Sequence, residues 1–591
     1  VPVLLAIVIL FCSACSSAAL PASFTVGDLD AETVDLDAKL TGLKKAMTAD
    51  FGGSNLYKKL DAAPADGPYT VFLSVSDSTS KAVVFHANGE SIAKAFDNAS
   101  YELRAYLNVN DLKPVWVKAD LITSSERVII TRLADLIGKC SKRCFKWGVA
   151  FDSNYDRAFL EAQINAENMI EKTYGTFSIN RVNDSLIADG KTPLTALPLN
   201  LYFFYCNGYM CDESGNVYAL SANINSDYGK RVTGRITDDY AYSVIDSASR
   251  YLTGEVDENG LFVYGYNAAD HSVLSGYNSV RHAGTLWNMI RDYSLTKNDD
   301  LKAAIERGIE YMLKYDYCDI DDGAALCYSN QTNVLTIGGT ALSLLALAEY
   351  TRVFEDNKYI EQARALGEGI VYLHSMSESG SYVHLVEYPL LNVYKEFSIV
   401  YYDGEATLAL ALLYGVDENE KWINTACEAL TTFYNNEYEQ YSDHWIAYAC
   451  NEVTKYVEKP EFYELGLKNV ALAMEKEYAT TTIHPTGFEM LTASFELSQR
   501  LESSGIKNSV TVPENFSASR LAEIILYRAE YNLKGFCYPE YIMYFNSPAS
   551  VLGAFFIRES DFRIRIDDVQ HIVGGYFNYY NLYDSLIKTA G

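Results

Sequence analysis

The sequence predicts a multidomain chain, an N-terminal α+β module followed by an all-α ring of helix hairpins of the (α/α)6 toroid type. Three observations carry that prediction. The texture changes near residue 230, helix-period segments fill the chain from Asp238 onward, and those segments alternate between two kinds. With 591 residues the chain is too long for one compact core, and 49% hydrophobic with 21% charged residues is globular composition.

Residues 1–19 read as an export signal, because positions 3–11 are an unbroken apolar run, too short to span a bilayer, followed by small residues. The segment Cys12-Ser13-Ala14-Cys15 resembles a bacterial lipoprotein signal, which implies a lipid anchor at Cys15; secretion without an anchor is the alternative. The expected location is therefore exported, either secreted or held at the cell surface. Residues 27–230 form the α+β module. Positions 69–76 and 81–86 are β-rich, 91–107 has helical spacing and 114–122 is strand-like. A helix is expected near 158–172, with strands near 199–205 and 217–223. The module carries neither a phosphate-cradling glycine loop nor a nucleophile elbow.

The toroid spans residues 238–591. Apolar residues at i, i+3, i+4 and i+7 mark helices at 239–252, 281–293, 299–314, 339–352, 358–374, 403–414, 418–434, 443–454, 460–478, 487–501, 517–533 and 567–587. One kind is small and apolar all round, as in Gly339-Thr340-Ala341-Leu342-Ser343-Leu344-Leu345 or Ala406-Thr407-Leu408-Ala409-Leu410. Such helices belong in a core. The other kind, as in 301–314 and 359–368, is amphipathic and charged, and suits an outer layer. Six of each, joined by short links, describe an inner and an outer ring, with an open superhelical solenoid as the rival.

In a closed ring the inner helices run the same way, so their N-terminal starts surround one mouth. Those starts carry Arg281 and His282, then Tyr402, Asp403 and Glu405, then Asp443, His444 and Trp445, then His484 and Glu489, and last Asp567, Asp568, Gln570 and His571. Four of the chain's eight histidines fall there. Asp403, Asp443 and Asp567, taken singly, read as N-caps in an acidic first turn. Capping does not account for Arg281, His282, His444 or His571, since cations are unfavourable near the positive end of a helix. These residues are expected to face a ligand.

The phrases Tyr402-Asp403-Gly404-Glu405-Ala406, Asp443-His444-Trp445 and Asp567-Asp568-Val569-Gln570-His571, set in this repeat, resemble the six-hairpin glycosidase-like superfamily of (α/α)6 toroids over residues 238–591. The resemblance implies an exported carbohydrate-active enzyme with a polysaccharide or oligosaccharide substrate in the mouth. For a glycoside hydrolase, Glu405 and Asp443 are the expected working carboxyl pair, with Asp403 and Asp567 in reserve. Arg281, His282, Tyr402, His444, Trp445, Glu489, Gln570 and His571 would bind the glycan. A uronate lyase or epimerase using His or Tyr as base is the alternative, and a glycan-binding surface lipoprotein without catalysis is a third reading. No cofactor is expected; a metal on His282, His444 and His571 is the alternative. Prenyl-type zinc chemistry is disfavoured because no inner-helix start carries a cysteine.

A formal charge of −29 argues against a broad basic face for nucleic acid or anionic lipid. The 47 tyrosines offer flat amphipathic faces suited to sugar rings, although most are expected to serve helix packing. The close cysteine pairs Cys140 with Cys144, Cys206 with Cys211 and Cys318 with Cys327 are expected to form disulfides, with zinc on the first two pairs as the alternative. Cys427 and Cys450 are expected to be buried thiols.

Overall fold

The computed structural model describes residues 35–53, 68–139, 144–223, 227–557 and 562–591. The export segment with Cys12 and Cys15, and the thiol of Cys140, lie outside the described residues. Among the described residues no helix is long and apolar enough to cross a membrane.

The N-terminal region contains α1 (Leu36–Gly53), β1 (Tyr69–Ser76), β2 (Val83–Gly89), α2 (Ile92–Leu107), β3 (Trp116–Ile129), α3 (Leu133–Gly138), β4 (Gly148–Ala150), β5 (Ala158–Phe159), α4 (Glu161–Ala166), β6 (Ile170–Glu171), β7 (Thr176–Phe177), α5 (Ile179–Ala188), β8 (Asn200–Cys211) and β9 (Val217–Ala219). The main sheet is antiparallel in the order β2-β1-β3-β8-β4-β5, with β9 also on β8. Strand alternation divides it into two faces. Val71, Leu73 and Val75 pack with α1 and α2, whereas Phe72, Trp116, Phe204 and Met210 join the core of the helical body. Polar groups fix that second face: Arg231 donates twice to Glu540, at 2.9 and 2.7 Å, and Ser74 meets the Tyr544 hydroxyl at 2.8 Å. The single helix expected at 158–172 is instead β5, the short α4 and β6, because the apolar residues Phe159, Ile164 and Met169 close a small core with α5.

Two of the expected disulfides are corrected. Cys206 and Cys211 are five residues apart on β8, so their side chains enter opposite cores, and both remain thiols. The same geometry removes a shared zinc. Cys327 pairs across the ladder with Tyr317, not Cys318, so the two sulfurs lie on opposite faces. Cys427 and Cys450 are thiols, the second fully buried.

The body continues with α6 (Asp238–Gly254), β10 (Gly265–Asn267), β11 (Ser272–Val273), α7 (Ser279–Thr296), α8 (Asp299–Tyr315), β12 (Tyr317–Asp319), β13 (Ala325–Tyr328), β14 (Val334–Thr336), α9 (Ile337–Phe354), α10 (Ile360–Ser375), β15 (Leu385–Glu387) and β16 (Asn392–Lys395). Then come α11 (Tyr401–Asp417), α12 (Glu420–Asn435), α13 (His444–Val453), α14 (Pro460–Ala471), α15 (Met474–Ala479), α16 (Pro485–Ser503), α17 (Ala518–Asn532), α18 (Pro539–Ile542), β17 (Arg563–Arg565) and α19 (Ile566–Ala590). Helices α7, α9, α11, α13, α16 and α19 pack each against the next, and α19 packs against α7, which closes a ring. Around it, α6, α8, α10, α12, α14 and α17 each pack on one or two inner helices. This is the six-hairpin (α/α)6 toroid that the sequence resembles.

Local chemistry explains the two layers. In α9 every residue from Ile337 to Thr351 is buried, as an inner helix requires, and each buried leucine contributes roughly 1.5–3 kcal/mol. On outer α8 only Leu301, Ala304, Ile305, Gly308, Ile309 and Met312 are buried, a 3–4 stripe, and Asn298 caps its start. The links are not all short: several leading into inner helices form strands, in sheets β11-β10-β17 and β12-β13-β14-β15-β16, and β14 and β17 run directly into α9 and α19. The helix expected at 460–478 is broken into α14 and α15.

Candidate active site

Two buried polar clusters occupy the ring at the N-terminal ends of the inner helices. The first is a set of carboxyl groups. Asp403 is not the cap of α11, a position held by Val400; its carboxylate accepts from the hydroxyls of Ser381 and Tyr438 and lies 3.3 Å from His384 Nε2. His384 Nδ1 accepts the backbone N–H of Ser398 at 2.8 Å, so Nε2 carries the proton. Ser381 donates to aspartate rather than to histidine, which rules out a nucleophilic triad here. Glu405, two residues on, is buried with Oε2 unpartnered. Burial, with the neighbouring Asp443 and Asp403, holds its pKa well above the usual carboxylate range. Asp443 does cap α13, accepting from the Trp445 N–H at 3.0 Å, and burial pushes its pKa up to about 8 against the pull of backbone N–H groups from Trp445 and Ile446.

The second cluster brings together three inner helices. Glu489 of α16 is fully buried and lies between His571 of α19 and His444 of α13. His571 Nδ1 is 2.7 Å from Glu489 Oε2, and His444 Nε2 is 4.0 Å from the same oxygen. Tyr448 donates to the other oxygen at 3.1 Å. A Cβ on Gly574 would stand 2.5 Å from Glu489 Oε1, so this glycine lets α19 approach the carboxylate.

The two imidazoles titrate in opposite directions. Burial drives His444 down to about 3, with the neighbouring His571 and His484 adding to the effect. Burial also acts to lower His571, but Glu489 and then Asp567 and Asp568 outweigh it and leave the pKa raised. His444 is thus a neutral base whose Nε2 has no partner, with Nδ1 3.2 Å from Asp443. His571 is the more readily protonated of the two, and it is more exposed than His444, with 19% of its side chain accessible. The His444, Glu489 and His571 donor atoms all lie within 4.8 Å of one another, so they could also offer three ligands to a divalent metal.

Other expected site residues are distributed unevenly. Trp445 is buried against Trp287 at 5.6 Å, Tyr448 at 5.9 Å and His571 at 6.2 Å. Gln570 Nε2 lies 3.3 Å from His571 Nδ1. Arg281 pairs with Asp567 at 2.9 Å, and Arg565 binds both Asp567 and Asp568; the cap position of α19 belongs to Arg565, so Asp567 is not a cap. Tyr402 is half-buried, 5.4 Å from His384. His282 departs from expectation: its Nε2 meets the Gly308 carbonyl on outer α8 at 3.0 Å and its ring stacks on Tyr311, so it lies between the layers, away from His444 and His571. Glu489 therefore stands where a metal set would have needed His282.

No protein-family model matches the chain, and no curated protein matches it by sequence. Among solved structures the toroid is similar to a D-mannose isomerase, at 12% identity and TM-score 0.45, covering 60% of this chain and 98% of that one. It is similar to the cellobiose 2-epimerase of Bacillus thermoamylovorans, at 12% identity and TM-score 0.46, covering 58% and 98%. A GH76 α-mannanase of Bacteroides thetaiotaomicron is similar at 9% identity and TM-score 0.42, covering 59% and 97%.

Sequence reasoning missed His384, Trp287, Tyr448 and Asn578. His384 precedes a strand rather than opening a helix, so no helix-start pattern marks it. Trp287, Tyr448 and Asn578 lie deeper along inner helices. Their signal was a polar or aromatic residue in the middle of a helix whose neighbours are apolar all round.

Proposed function

We propose that this protein is a carbohydrate-active enzyme that moves a proton at a sugar carbon, an epimerase or isomerase acting in the mouth of the ring. The observation that carries this reading is the pair of imidazoles flanking Glu489, His571 Nδ1 at 2.7 Å from its carboxylate and His444 with Nε2 unpartnered, of which burial favours the neutral form of His444 and Glu489 the protonated form of His571. His444 Nε2 takes the proton from a carbon next to the carbonyl of an open-chain sugar. The electron pair moves to the carbonyl oxygen, which the His571 imidazolium stabilises by hydrogen bonding or protonation. Return of a proton to the carbon from the opposite face gives the epimer, and return to the neighbouring carbon gives the isomer. The exposed Tyr401, whose ring meets His444 edge-on at 5.4 Å, supplies an apolar face suited to a hydroxyl-rich ligand.

A second reading, glycoside hydrolysis, is favoured by one observation, the neighbouring Glu405 and Asp443 with raised pKa values. It needs one ionised partner, whereas burial favours the protonated form of both. Incubation of the full chain with a panel of neutral and uronic sugars and oligosaccharides in D2O tests the choice. Deuterium entering a carbon position supports proton transfer, new reducing ends without deuterium support hydrolysis, and neither on any substrate supports a binding role. Activity lost to a chelator and restored by zinc would reassign His444, Glu489 and His571 to a metal.

A further inference from the structure

The ring has a second opening. Toward the C-terminal ends of the inner helices lies a cavity of about 290 Å3, floored by Trp287 and Tyr448 and reaching the exterior past Arg352, Glu496 and Asn581. Into it projects Arg291 of α7, only 6% exposed. A guanidinium keeps its proton in any protein environment, so a buried one calls for a counter-charge. Arg291 lies against the rings of Phe577 at 4.4 Å and Trp287 at 4.8 Å, and its Nη1 has no hydrogen-bond partner. The carboxylates around the same cavity are occupied: Glu349 by Arg352 at 2.5 Å, Glu452 by Lys455 at 2.6 Å, and Glu496 by Asn451 and Arg500. The adjacent Asp292 accepts from Asn288 Nδ2 at 3.0 Å, and burial holds its pKa well above the usual carboxylate range.

We infer that this cavity is a binding site for a small anion, a carboxylate or a phosphate group held by Arg291, and that it is linked to the catalytic cluster through a chain of hydrogen bonds. Each member of the chain donates toward the cluster. Arg291 Nη2 donates to Asn578 Oδ1 at 2.5 Å, Asn578 Nδ2 to the Tyr448 oxygen at 2.8 Å, and Tyr448 to Glu489 Oε1 at 3.1 Å. His571 holds the other Glu489 oxygen. An anion that draws on the guanidinium alters how strongly it donates to Asn578, and the change arrives at the carboxylate that His571 contacts at 2.7 Å. Linkage makes the coupling reciprocal.

The test reads binding directly, without turnover, so its failure is distinct from failure of the proton-transfer reading. The full chain is titrated calorimetrically with inorganic phosphate and with acetate at constant ionic strength. Saturable binding of one or both at one site per chain is expected, and the tighter of the two identifies the ligand chemistry. Arg291→Met should weaken it at least about tenfold, as loss of a charge-assisted bond does. If Arg291→Met fails to fold, Asn581→Asp places a negative charge at the exposed rim and should weaken the same binding. Absence of saturable binding of either anion, or unchanged binding in a folded Arg291→Met or Asn581→Asp variant, would overturn the site. The His571 ring signals in NMR should move with anion in the wild type and not in Asn578→Ala. Signals that stay fixed in the wild type, or move equally in that variant, would overturn the linkage.

Discussion

Replacing Gly574 by alanine sets two physical effects against each other. In the middle of α19, alanine exceeds glycine in helix propensity by about 1 kcal/mol, so on local grounds the change should stabilise the protein. The added methyl would sit 2.5 Å from Glu489 Oε1 and 3.1 Å from Asn288 Oδ1, and both side chains are fully buried with little room to retreat. Overpacking of this kind costs about 1–3 kcal/mol, so the net expectation is between neutral and about 2 kcal/mol destabilising. The functional effect should be larger. Glu489 must move by several tenths of an ångström or more, away from a His571 contact of 2.7 Å, and misplacement on the ångström scale costs on the order of 100-fold in rate. Thermal melting and turnover on the substrate found in the D2O panel would be measured together. A variant more stable than wild type with unchanged turnover would refute the claim that Gly574 exists to admit Glu489.

Two further outcomes follow from the same geometry, and a third from the sequence of residues 1–19. Asp443 titrates at about 8 when folded and near 4 when unfolded, so between those values the folded state holds a proton the unfolded state has lost, and stability falls as pH rises through that window; Asp443→Asn keeps the cap and should flatten the fall, read by urea unfolding at pH 5 and pH 8. Glu405→Gln should leave proton exchange within a few-fold of wild type, and a loss of 10²- to 10⁴-fold would move the chemistry to the carboxyl cluster. Cys15→Ala expressed in a bacterial host should release the protein from membranes or leave its leader uncleaved, as fractionation and mass would show; no change would leave secretion without an anchor.

The helical body was legible because its two layers have different chemistry. A run such as 339–348 can only be buried and the stripe of 301–312 can only cover something, so the two layers could be read from alternation, whereas closure of the ring against an open solenoid comes from the packing of α19 on α7. The link strands were not legible: β10, β12 and β15 are three residues each, too short for a period to register. The mouth was half legible. His444, Glu489 and His571 fall within a turn or so of a helix start, where sequence position gives spatial position, and the ring brings them together. His282 shares that position yet faces outward, because a helix start fixes height along the ring and not azimuth. Arg291 and Asn578 show the converse, since depth along an inner helix takes them out of any motif read at helix starts.

The central claim is that His444 and His571 move a proton at carbon, and exchange with solvent measures that step itself. Wild type, His444→Asn and His571→Asn would be compared in D2O on the same sugar, with deuterium at each carbon followed by NMR and folding checked by melting. Stereospecific deuterium uptake at one carbon is expected in the wild type, with a loss of 10²- to 10⁴-fold in each folded variant. Sugar conversion without deuterium uptake, or uptake undiminished when either imidazole is removed, would contradict it.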